Sequence, residues 1–273
     1  MIRSENMEDN INSESCALCG KSRFTKVADK LRTKDNYKIY RCTSCGHIQL
    51  LPRPGMEEDR EYYNKDSQEK AIRSKVNLDS QRINSKYDVN RRADFIEGKF
   101  PRDFEILDIG CGYGFFLEEM SRRGYMIKGV EVSKERRDLA GKIVNCDILD
   151  INFAEATNTK MEKVEVATLF HVLEHTADPI SFCRNIKRVI KKNGYLIVEV
   201  PNVEELMLET CPEYNDFYWI RAHLHYFNNK TLEFVLKNAG FKVENLNPEE
   251  TARYLAEEQE KLSEVIKVGK IGQ

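Results

Sequence analysis

The sequence predicts an α/β protein with a doubly wound, mostly parallel sheet, preceded by a small cysteine-containing ribbon and a helical linker. From Asp103 onward, β-branched apolar stretches alternate with amphipathic stretches of helical period. Gly124, Gly194 and Gly240 each stand in a turn just before an apolar stretch. Strands and helices that alternate in this way form a parallel sheet with helices on both faces.

The positions of the individual elements follow from the same alternation. Strands are predicted at 104–109, 126–131, 143–145, 164–170, 194–200 and 241–246. Helices are predicted at 114–123, 134–141, 179–191 and 229–239. In such folds the ligand binds beyond the carboxyl ends of the strands, so the functional residues are expected there.

Four of the eight cysteines form two Cys-x-x-Cys-Gly pairs near the N-terminus. The pairs are Cys16 with Cys19 and Cys42 with Cys45, and the stretch between them is long enough for a hairpin with strands at 24–27 and 37–41. Four thiolates at this spacing suit tetrahedral Zn²⁺ in a closed structural site. The alternative is four unrelated free cysteines. His47 is not expected to be a ligand, because the thiolates already complete the coordination.

Changes in composition divide the chain into five segments. Residues 1–15 are expected to be a disordered leader, 16–55 the zinc-binding module, 56–100 a helical linker or lid, 101–247 the main α/β domain and 248–273 a C-terminal helix. The breaker Pro52-Arg53-Pro54-Gly55 ends the module. Within the linker, Tyr62 or Tyr63 either covers the ligand or only packs between helices.

The overall composition is that of an ordinary globular protein. Apolar residues make up 41% and charged residues 32%, the formal net charge is −2 and the pI is near 6.3. This balance gives no general attraction to nucleic acid or to a membrane surface. Because no apolar run approaches 18 residues and no signal segment is evident, a cytoplasmic location is expected. The paired basic residues are interpreted as solvated helix surface: Arg91-Arg92, Arg122-Arg123, Arg136-Arg137 and Lys191-Lys192.

A glycine-rich turn follows the first strand of the main domain. It reads Asp108-x-Gly110-x-Gly112-x-Gly114-Phe115 and leads into a helix. Phe115 occupies the position where a dinucleotide fingerprint needs a small residue, and no Gly-Lys-Ser/Thr follows as in a phosphate-binding loop. The turn therefore favours an adenosine ligand that lacks phosphates and carries an ammonium group.

These residues resemble the class I S-adenosylmethionine-dependent methyltransferases, which have a Rossmann-like fold. The resemblance covers residues 103–246 and implies S-adenosylmethionine as cofactor, with S-adenosylhomocysteine as product. It implies that the glycine turn, with Phe115, borders the cofactor and that Asp108 orders its ammonium group, directly or through water. Glu131, with Val132 after it, ends the second strand and would accept hydrogen bonds from the ribose hydroxyls; the alternative is a surface carboxylate capping the next helix.

Two further segments complete the expected cofactor site. Asp147 is interpreted as ending the third strand and holding the adenine amino group, with Ile148 packed on the ring; the alternative is an ordinary turn aspartate. The fourth strand ends at Phe170 and His171, which the resemblance places beside the methionine moiety and the reacting methyl group.

Methyl transfer needs alignment and, where the acceptor loses a proton, a general base. The segment around His223 resembles the His-Leu-x-x-Phe segment of methyltransferases that act on sugars and small metabolites. In sugar C-methylating relatives a histidine matching His223 is the base, and it follows a glutamate where this chain has Ala222. His223 and His171 are therefore the candidate catalytic residues, whereas His175 is interpreted as a capping or turn residue.

Together these patterns predict a methyltransferase that acts on a small molecule. The cysteine pairs ahead of such a domain resemble bacterial methyltransferases of sugar and polysaccharide tailoring, so the expected acceptor is a saccharide or nucleotide sugar, methylated on oxygen or carbon. An RNA base methyltransferase with a zinc module is the alternative, and the even charge balance disfavours it. A non-catalytic scaffold is disfavoured because the glycines, Asp108, Glu131 and Asp147 are all present. The oligomeric state is not defined by the sequence.

Overall fold

The computed structural model describes residues 13–32, 36–55, 77–155 and 160–244, together with Ile11 and Glu58. The strands are β1 (Phe24–Ala28), β2 (Lys38–Cys42), β3 (Ile48–Leu51), β4 (Glu105–Ile109), β5 (Met126–Val130), β6 (Ile148–Leu149), β7 (Val164–Phe170), β8 (Ile190–Glu199) and β9 (His225–Tyr226). The helices are α1 (Leu78–Lys99), α2 (Phe115–Arg122), α3 (Lys134–Ile143), α4 (Pro179–Lys187), α5 (Leu206–Thr210), α6 (Pro212–Tyr218) and α7 (Asn229–Asn238). A 3-10 helix covers Leu173–His175.

The main sheet has five parallel strands in the order β6-β5-β4-β7-β8. Its central strand β4 pairs with β5 and with β7, so four of its five residues are buried. The strand order changes direction at β4, and the crevice at such a point is where open α/β sheets bind ligands. The predicted fold class is confirmed, and the glycine turn follows the strand at the switch point.

The helices around this sheet begin where short polar side chains cap them. Ser133 caps α3, Asp178 caps α4, and Asn228 forms a capping box with Thr231 at the start of α7. Before α2, however, Gly114 takes a left-handed conformation and offers no side-chain cap. The first backbone N–H groups of α2 therefore have no side-chain cap at the glycine turn.

A second sheet joins the N-terminal module to the main domain. Its strands run in the antiparallel order β1-β2-β3-β9, and Ile48 of β3 stands opposite Tyr226 of β9. Ile39 and Leu50 of the module share a buried core with Trp219 and Tyr226. The predicted hairpin strands at 24–27 and 37–41 are confirmed, whereas β3 and β9 were not predicted from the sequence.

Three predicted elements differ in the structure. The strand predicted at 143–145 is wrong: Ile143 ends α3, Val144 is buried in a cluster with Cys111 of the glycine turn, and the third strand forms only at Ile148–Leu149. The helix predicted to Lys191 ends at Lys187, because Ile190 already pairs with Val164 in the sheet. Residues 241–244 form no strand, so the final strand predicted at 241–246 is not found in its described part.

Parts of the predicted organisation lie outside the described residues. Most of the leader at 1–15 and most of 56–77, including Tyr62 and Tyr63, are among them, as is the C-terminal helix predicted at 248–273. From Leu78 onward the predicted linker is one helix, α1, of 22 residues. No helix within the described ranges has both the length and the apolar character needed to cross a membrane.

Candidate active site

The glycine turn has the backbone geometry that its sequence predicts. Gly110, Gly112 and Gly114 have φ values of +75°, +56° and +79°, in the left-handed region that other residues rarely adopt. A side chain at Gly110 would overlap Val172, and one at Gly114 would press on Ala140. At Gly112 a Cβ would meet nothing within 4 Å, so this glycine faces open space. The turn thus packs tightly on both sides and leaves its middle glycine open to a ligand.

Glu131 lies directly beside this open space. Its carboxylate accepts hydrogen bonds from the backbone N–H of Gly112 at 3.0 Å and of Ser133 at 2.9 Å, and its side chain is buried. Each carboxylate oxygen keeps a further lone pair for a ligand hydroxyl. Ser133 itself caps α3 through its hydroxyl, so the alternative of Glu131 as the helix cap is wrong.

Asp108 lies below the turn at the end of β4 and is 4% exposed. Burial raises the pKa of its carboxyl group to about 7, although the hydroxyl of Thr168 donates to Oδ1 at 2.7 Å. A nearby cation stabilises the ionised form of a carboxylate that is this poorly solvated. The surroundings of Asp108 therefore favour binding of a positively charged group.

The predicted adenine contacts lie next to Glu131 in the chain and at the neighbouring strand β6. Val132 is 59% exposed, an unusual position for a large apolar side chain, and Ile148 is half-buried. The structure places Asp147 before β6 rather than after the third strand, so its carbonyl oxygen accepts from the N–H of Gly129 at 2.8 Å. The carboxyl end of β6 is followed instead by Asp150, which pairs with Arg137 at 2.8 Å.

The two predicted aromatic contacts differ in their surroundings. Phe115 opens α2, is 9% exposed, and has its ring centroid 5.9 Å from that of Tyr113. Phe170, at the end of β7, makes an edge-to-face contact with Phe116 at 5.1 Å, and the guanidinium of Arg92 lies over its ring at 4.6 Å. Phe170 is therefore fixed between α1 and α2.

His171 follows β7 and is held between two glutamates. Its Nδ1 lies 3.3 Å from Glu174 and its Nε2 lies 3.2 Å from Glu199. Although burial disfavours the charged form, these two carboxylates raise the pKa of His171 to about 9. The backbone φ of +54° is unusual for a residue other than glycine, and its N–H donates to the carbonyl of Glu199 at 2.9 Å. His171 is consequently a cation at neutral pH, a state in which it donates rather than accepts protons.

The interpretation of Arg91-Arg92 as solvated helix surface is wrong. Both side chains reach from α1 to Glu199 at the end of β8, Arg91 at 2.9 Å and Arg92 at 2.6 Å. Together with His171 they hold the pKa of Glu199 far below its usual range, even though burial alone would raise it. Glu199 thus ties α1 to the carboxyl edge of the sheet.

His223 is brought to the same edge by two hydrogen bonds from its segment. The N–H of Leu224 donates to the carbonyl of Glu174 at 2.9 Å, and Nδ1 of His175 donates to the carbonyl of Ala222 at 2.7 Å. The rings of His175 and His223 then lie 5.0 Å apart. Burial lowers the pKa of His223 to about 4, so its imidazole is neutral. The two candidate histidines therefore differ in charge at neutral pH: His171 is a cation and His223 is neutral.

His47 and His225 form a separate, fully buried pair. His47 Nε2 lies 3.0 Å from His225 Nδ1, and His225 Nε2 lies 2.9 Å from the carbonyl oxygen of Thr176. Since a carbonyl only accepts, His225 carries its proton on Nε2, and its Nδ1 accepts a hydrogen bond donated by the Nε2–H of His47. His47 is thus a core residue just before β3, and it connects through His225 of β9 to Thr176, which follows the 3-10 helix.

The four predicted zinc ligands converge in space. The Sγ atoms of Cys16, Cys19, Cys42 and Cys45 lie within 4.8 Å of one another, with Cys16 to Cys45 and Cys19 to Cys42 both at 3.6 Å. A tetrahedral thiolate site for Zn²⁺ has spacings of roughly this size. The donor set is suited to zinc, and the two Cys-x-x-Cys turns present it from opposite sides.

Three residues of the site escaped the sequence reasoning. Glu174 and Thr168 are buried, and Glu199 ends β8 at the edge where ligands bind. Glu199 could have been identified from the sequence, since it is an acidic residue inside the strand predicted at 194–200. Nothing in the sequence marks Thr168 or Glu174, because their roles arise from packing between distant segments.

Comparison with known proteins identifies the same part of the chain. The family model described as "Methyltransferase domain" matches residues 79–246, well over half of the 273 residues. A ubiquinone biosynthesis O-methyltransferase of Actinobacillus pleuropneumoniae is 30% identical over 122 residues, which are 41% of this chain and 52% of that protein. The corresponding protein of Bartonella quintana is 33% identical over 104 residues, 37% of this chain and 42% of that protein. The chain spans about half the length of the curated relatives it matches.

A solved structure supports the fold. Magnesium protoporphyrin IX methyltransferase from Synechocystis PCC 6803, with bound S-adenosylhomocysteine, aligns with a TM-score of 0.53 and 16% identity. The alignment covers 69% of this chain and 90% of that protein. With the five-stranded parallel sheet, the glycine turn at its switch point and the match over 79–246, the chain belongs to the methyltransferase-domain family and carries a class I S-adenosylmethionine-dependent methyltransferase domain.

Proposed function

We propose that this protein transfers the methyl group of S-adenosylmethionine to a hydroxyl oxygen of a small-molecule acceptor. The observation that carries the proposal is the arrangement at the carboxyl edge of the sheet. Val172 packs against Gly110 of the open glycine turn, where Glu131 also lies. The residues near Val172 in the chain, His171 and Glu174, form a cluster with His223. A cofactor bound at the glycine turn would therefore have ionisable side chains close to its methyl group.

Each predicted cofactor residue has a role that its surroundings support. The carboxylate of Asp108 attracts the ammonium group of the methionine moiety, and Glu131 accepts from the ribose hydroxyls. Val132 and Ile148 supply apolar surface for the adenine ring, with Asp147 at its amino group. Since the sulfonium methyl is already activated, the protein mainly aligns donor and acceptor.

The two histidines have different roles on the acceptor side. His171 is a cation held by Glu174 and Glu199, so it stabilises negative charge on the acceptor oxygen and does not remove its proton. His223 is neutral and lies beside His175, so it is the residue that faces the acceptor hydroxyl.

Two observations bear on the chemical identity of the acceptor, and they favour different molecules. The relatives named ubiquinone biosynthesis O-methyltransferase support oxygen as the methylated atom and an intermediate of ubiquinone biosynthesis as the acceptor. The alternative acceptor, a saccharide or nucleotide sugar, is supported only by the resemblance of the N-terminal module. We further propose that the four cysteines of that module bind one structural Zn²⁺.

Calorimetry and a methyl-transfer screen test this function. We expect one S-adenosylhomocysteine bound per chain, and transfer to hydroxylated quinone precursors in preference to nucleotide sugars or RNA. His223→Ala should lower turnover at least about tenfold while leaving cofactor affinity near that of the wild type. Failure to bind S-adenosylhomocysteine would refute the proposal outright, and transfer to RNA with strong salt sensitivity would replace the acceptor class.

A further inference from the structure

On the acceptor side, three side chains together have the composition of a metal site. Glu174, His175 and His223 each offer a ligand atom, and these atoms all lie within 4.8 Å of one another. Ligands around one tetrahedral zinc ion lie about 3.4 Å apart, so small side-chain rotations would bring the three into range. Two imidazoles and one carboxylate are the donor set of several catalytic metal sites.

The hydrogen bonds around the cluster leave buried polar atoms that are suited to contact a cation. Glu174 is 99% buried; its Oε1 faces His171, and its Oε2 has no hydrogen-bond partner among the described residues. His223 Nδ1 is likewise buried without a partner in the described part of the chain. A buried carboxylate oxygen without a partner is costly, and a bound cation would remove that cost.

His175 is oriented as metal-binding histidines are. Its Nδ1 donates to the carbonyl of Ala222 at 2.7 Å, and a carbonyl fixes the proton on that nitrogen. Nε2 therefore carries a lone pair, and it lies 4.0 Å from Glu174 Oε1. Hydrogen bonding of the distal ring nitrogen to a backbone carbonyl is the usual support for a histidine ligand. His171 supports Glu174 in the same way from the other side.

We propose that Glu174, His175 and His223 bind a second divalent metal ion, distinct from the cysteine site, whose open coordination position takes the acceptor hydroxyl. The imidazole-rich donor set favours Zn²⁺ or Co²⁺ over Mg²⁺. The side chain of His175 is 30% exposed whereas that of Glu174 is 1% exposed, so the open position faces outward from the carboxylate. This inference rests on the proposed function and assigns how His223 serves it.

The metal makes a coordinated hydroxyl more acidic, so its proton leaves to solvent water. The resulting oxygen attacks the methyl carbon of the sulfonium, forming the O–CH₃ bond. The S–CH₃ bond breaks with its electron pair going to sulfur, which yields neutral S-adenosylhomocysteine and the methyl ether. In this scheme His223 holds the metal and does not itself accept the proton.

Calorimetric titration with Co²⁺, of protein first loaded with one equivalent of Zn²⁺ to occupy the cysteines, tests the site. The wild type should bind one Co²⁺ without the intense charge-transfer absorption of cobalt thiolates. Glu174→Gln and His223→Ala should each weaken Co²⁺ binding at least about tenfold. The control Glu135→Gln, which changes an exposed carboxylate, should bind Co²⁺ as the wild type does. S-adenosylhomocysteine binding confirms in each case that the domain is folded.

The outcomes separate the metal site from the proposed reaction. Absence of Co²⁺ binding in the wild type, or unchanged binding in both ligand variants, would overturn the metal site even if methyl transfer is found. If a single Co²⁺ binds and shows thiolate charge transfer, the metal lies at the cysteines and the proposed site is overturned as well. If Co²⁺ binds as expected but no acceptor is methylated, the metal site stands and the proposed acceptor chemistry fails.

Discussion

Replacing Asp108 by asparagine should change how cofactor binding depends on pH. Asn keeps the shape of the side chain and can still accept the hydrogen bond from Thr168, but it never carries a charge. In the proposed function, the ammonium group of the cofactor binds the ionised carboxylate of the wild type, whose pKa is raised by burial to about 7. Cofactor affinity should therefore rise with pH in the wild type and stay nearly level in Asp108→Asn.

The size of the effect follows from the fraction of sites that are ionised. With a pKa of about 7, roughly one site in eleven is ionised at pH 6 and roughly half are ionised at pH 7. Affinity for S-adenosylmethionine should thus increase about fivefold between these two values. The histidines of the site titrate near 9 (His171) and near 4 (His223), outside this interval. An α-amino group titrates near 8, so the cofactor stays an ammonium ion over most of it.

Isothermal titration calorimetry at pH 6 and pH 7 on both proteins is the assay. A wild-type affinity that is level or falls with pH, or an equal rise in Asp108→Asn, would refute the role given to this carboxylate. Stability gives an independent check. Because the folded pKa of Asp108 lies above the ordinary 3.8, the contribution of this carboxyl group to the free energy of unfolding of the unliganded protein should fall by about 1.4 kcal/mol per pH unit between pH 3.8 and pH 7. Buried His223, whose pKa is lowered to about 4, adds a rise over part of this range, so the quantity to measure is the difference between Asp108→Asn and the wild type. Asp108→Asn should remove this fall and leave the variant the more stable of the two above pH 7.

Three further predictions concern the adenine contact, the small sheet and the cysteine module. Asp147→Asn should weaken the binding of S-adenosylhomocysteine by about 1 kcal/mol. The control Asp150→Asn should not weaken it, because Asp150 is already paired with Arg137. If calorimetry gives the reverse order, Asp150 and not Asp147 contacts the adenine. Tyr226→Phe should lower the free energy of unfolding in urea by about 1–3 kcal/mol, since the hydroxyl of Tyr226 bonds both the N–H and the carbonyl of Ile220 at 3.0 Å; an unchanged midpoint would show that water replaces it. Cys42→Ser, or chelation, should release about one zinc per chain and shift the emission of Trp219, the single tryptophan, which packs on the small sheet; zinc-free protein with unaltered emission would contradict a structural metal.

The parts of the fold that could be predicted are those specified by local sequence. β4 and β7 are almost wholly buried and consist mostly of apolar residues, and the glycines at 110–114 require positive φ values that few other residues allow. The cysteine pairs converge because each Cys-x-x-Cys turn positions its own two thiolates.

The parts that could not be predicted depend on contacts between distant segments. β9 has only two residues, and its pairing with β3 is visible only in three dimensions. Arg91 and Arg92 look like ordinary helix charges until Glu199, more than one hundred residues later, is found opposite them. The short strand β6 was predicted at the wrong place because the apolar residue Val144 was read as part of a strand. Val144 is instead buried against the glycine turn.

The pairing of β3 with β9 has a consequence for the order in which this protein folds during synthesis. All four residues of β3 are buried in the finished structure, yet its partner Tyr226 leaves the ribosome long after Ile48. At about 5–20 residues per second, that edge waits roughly 10–35 s for its partner. During this interval an apolar strand with free backbone groups is open to pairing with other chains. The nascent N-terminal module is therefore the point at which a chaperone, or prompt metal binding by the cysteines, would matter most for yield.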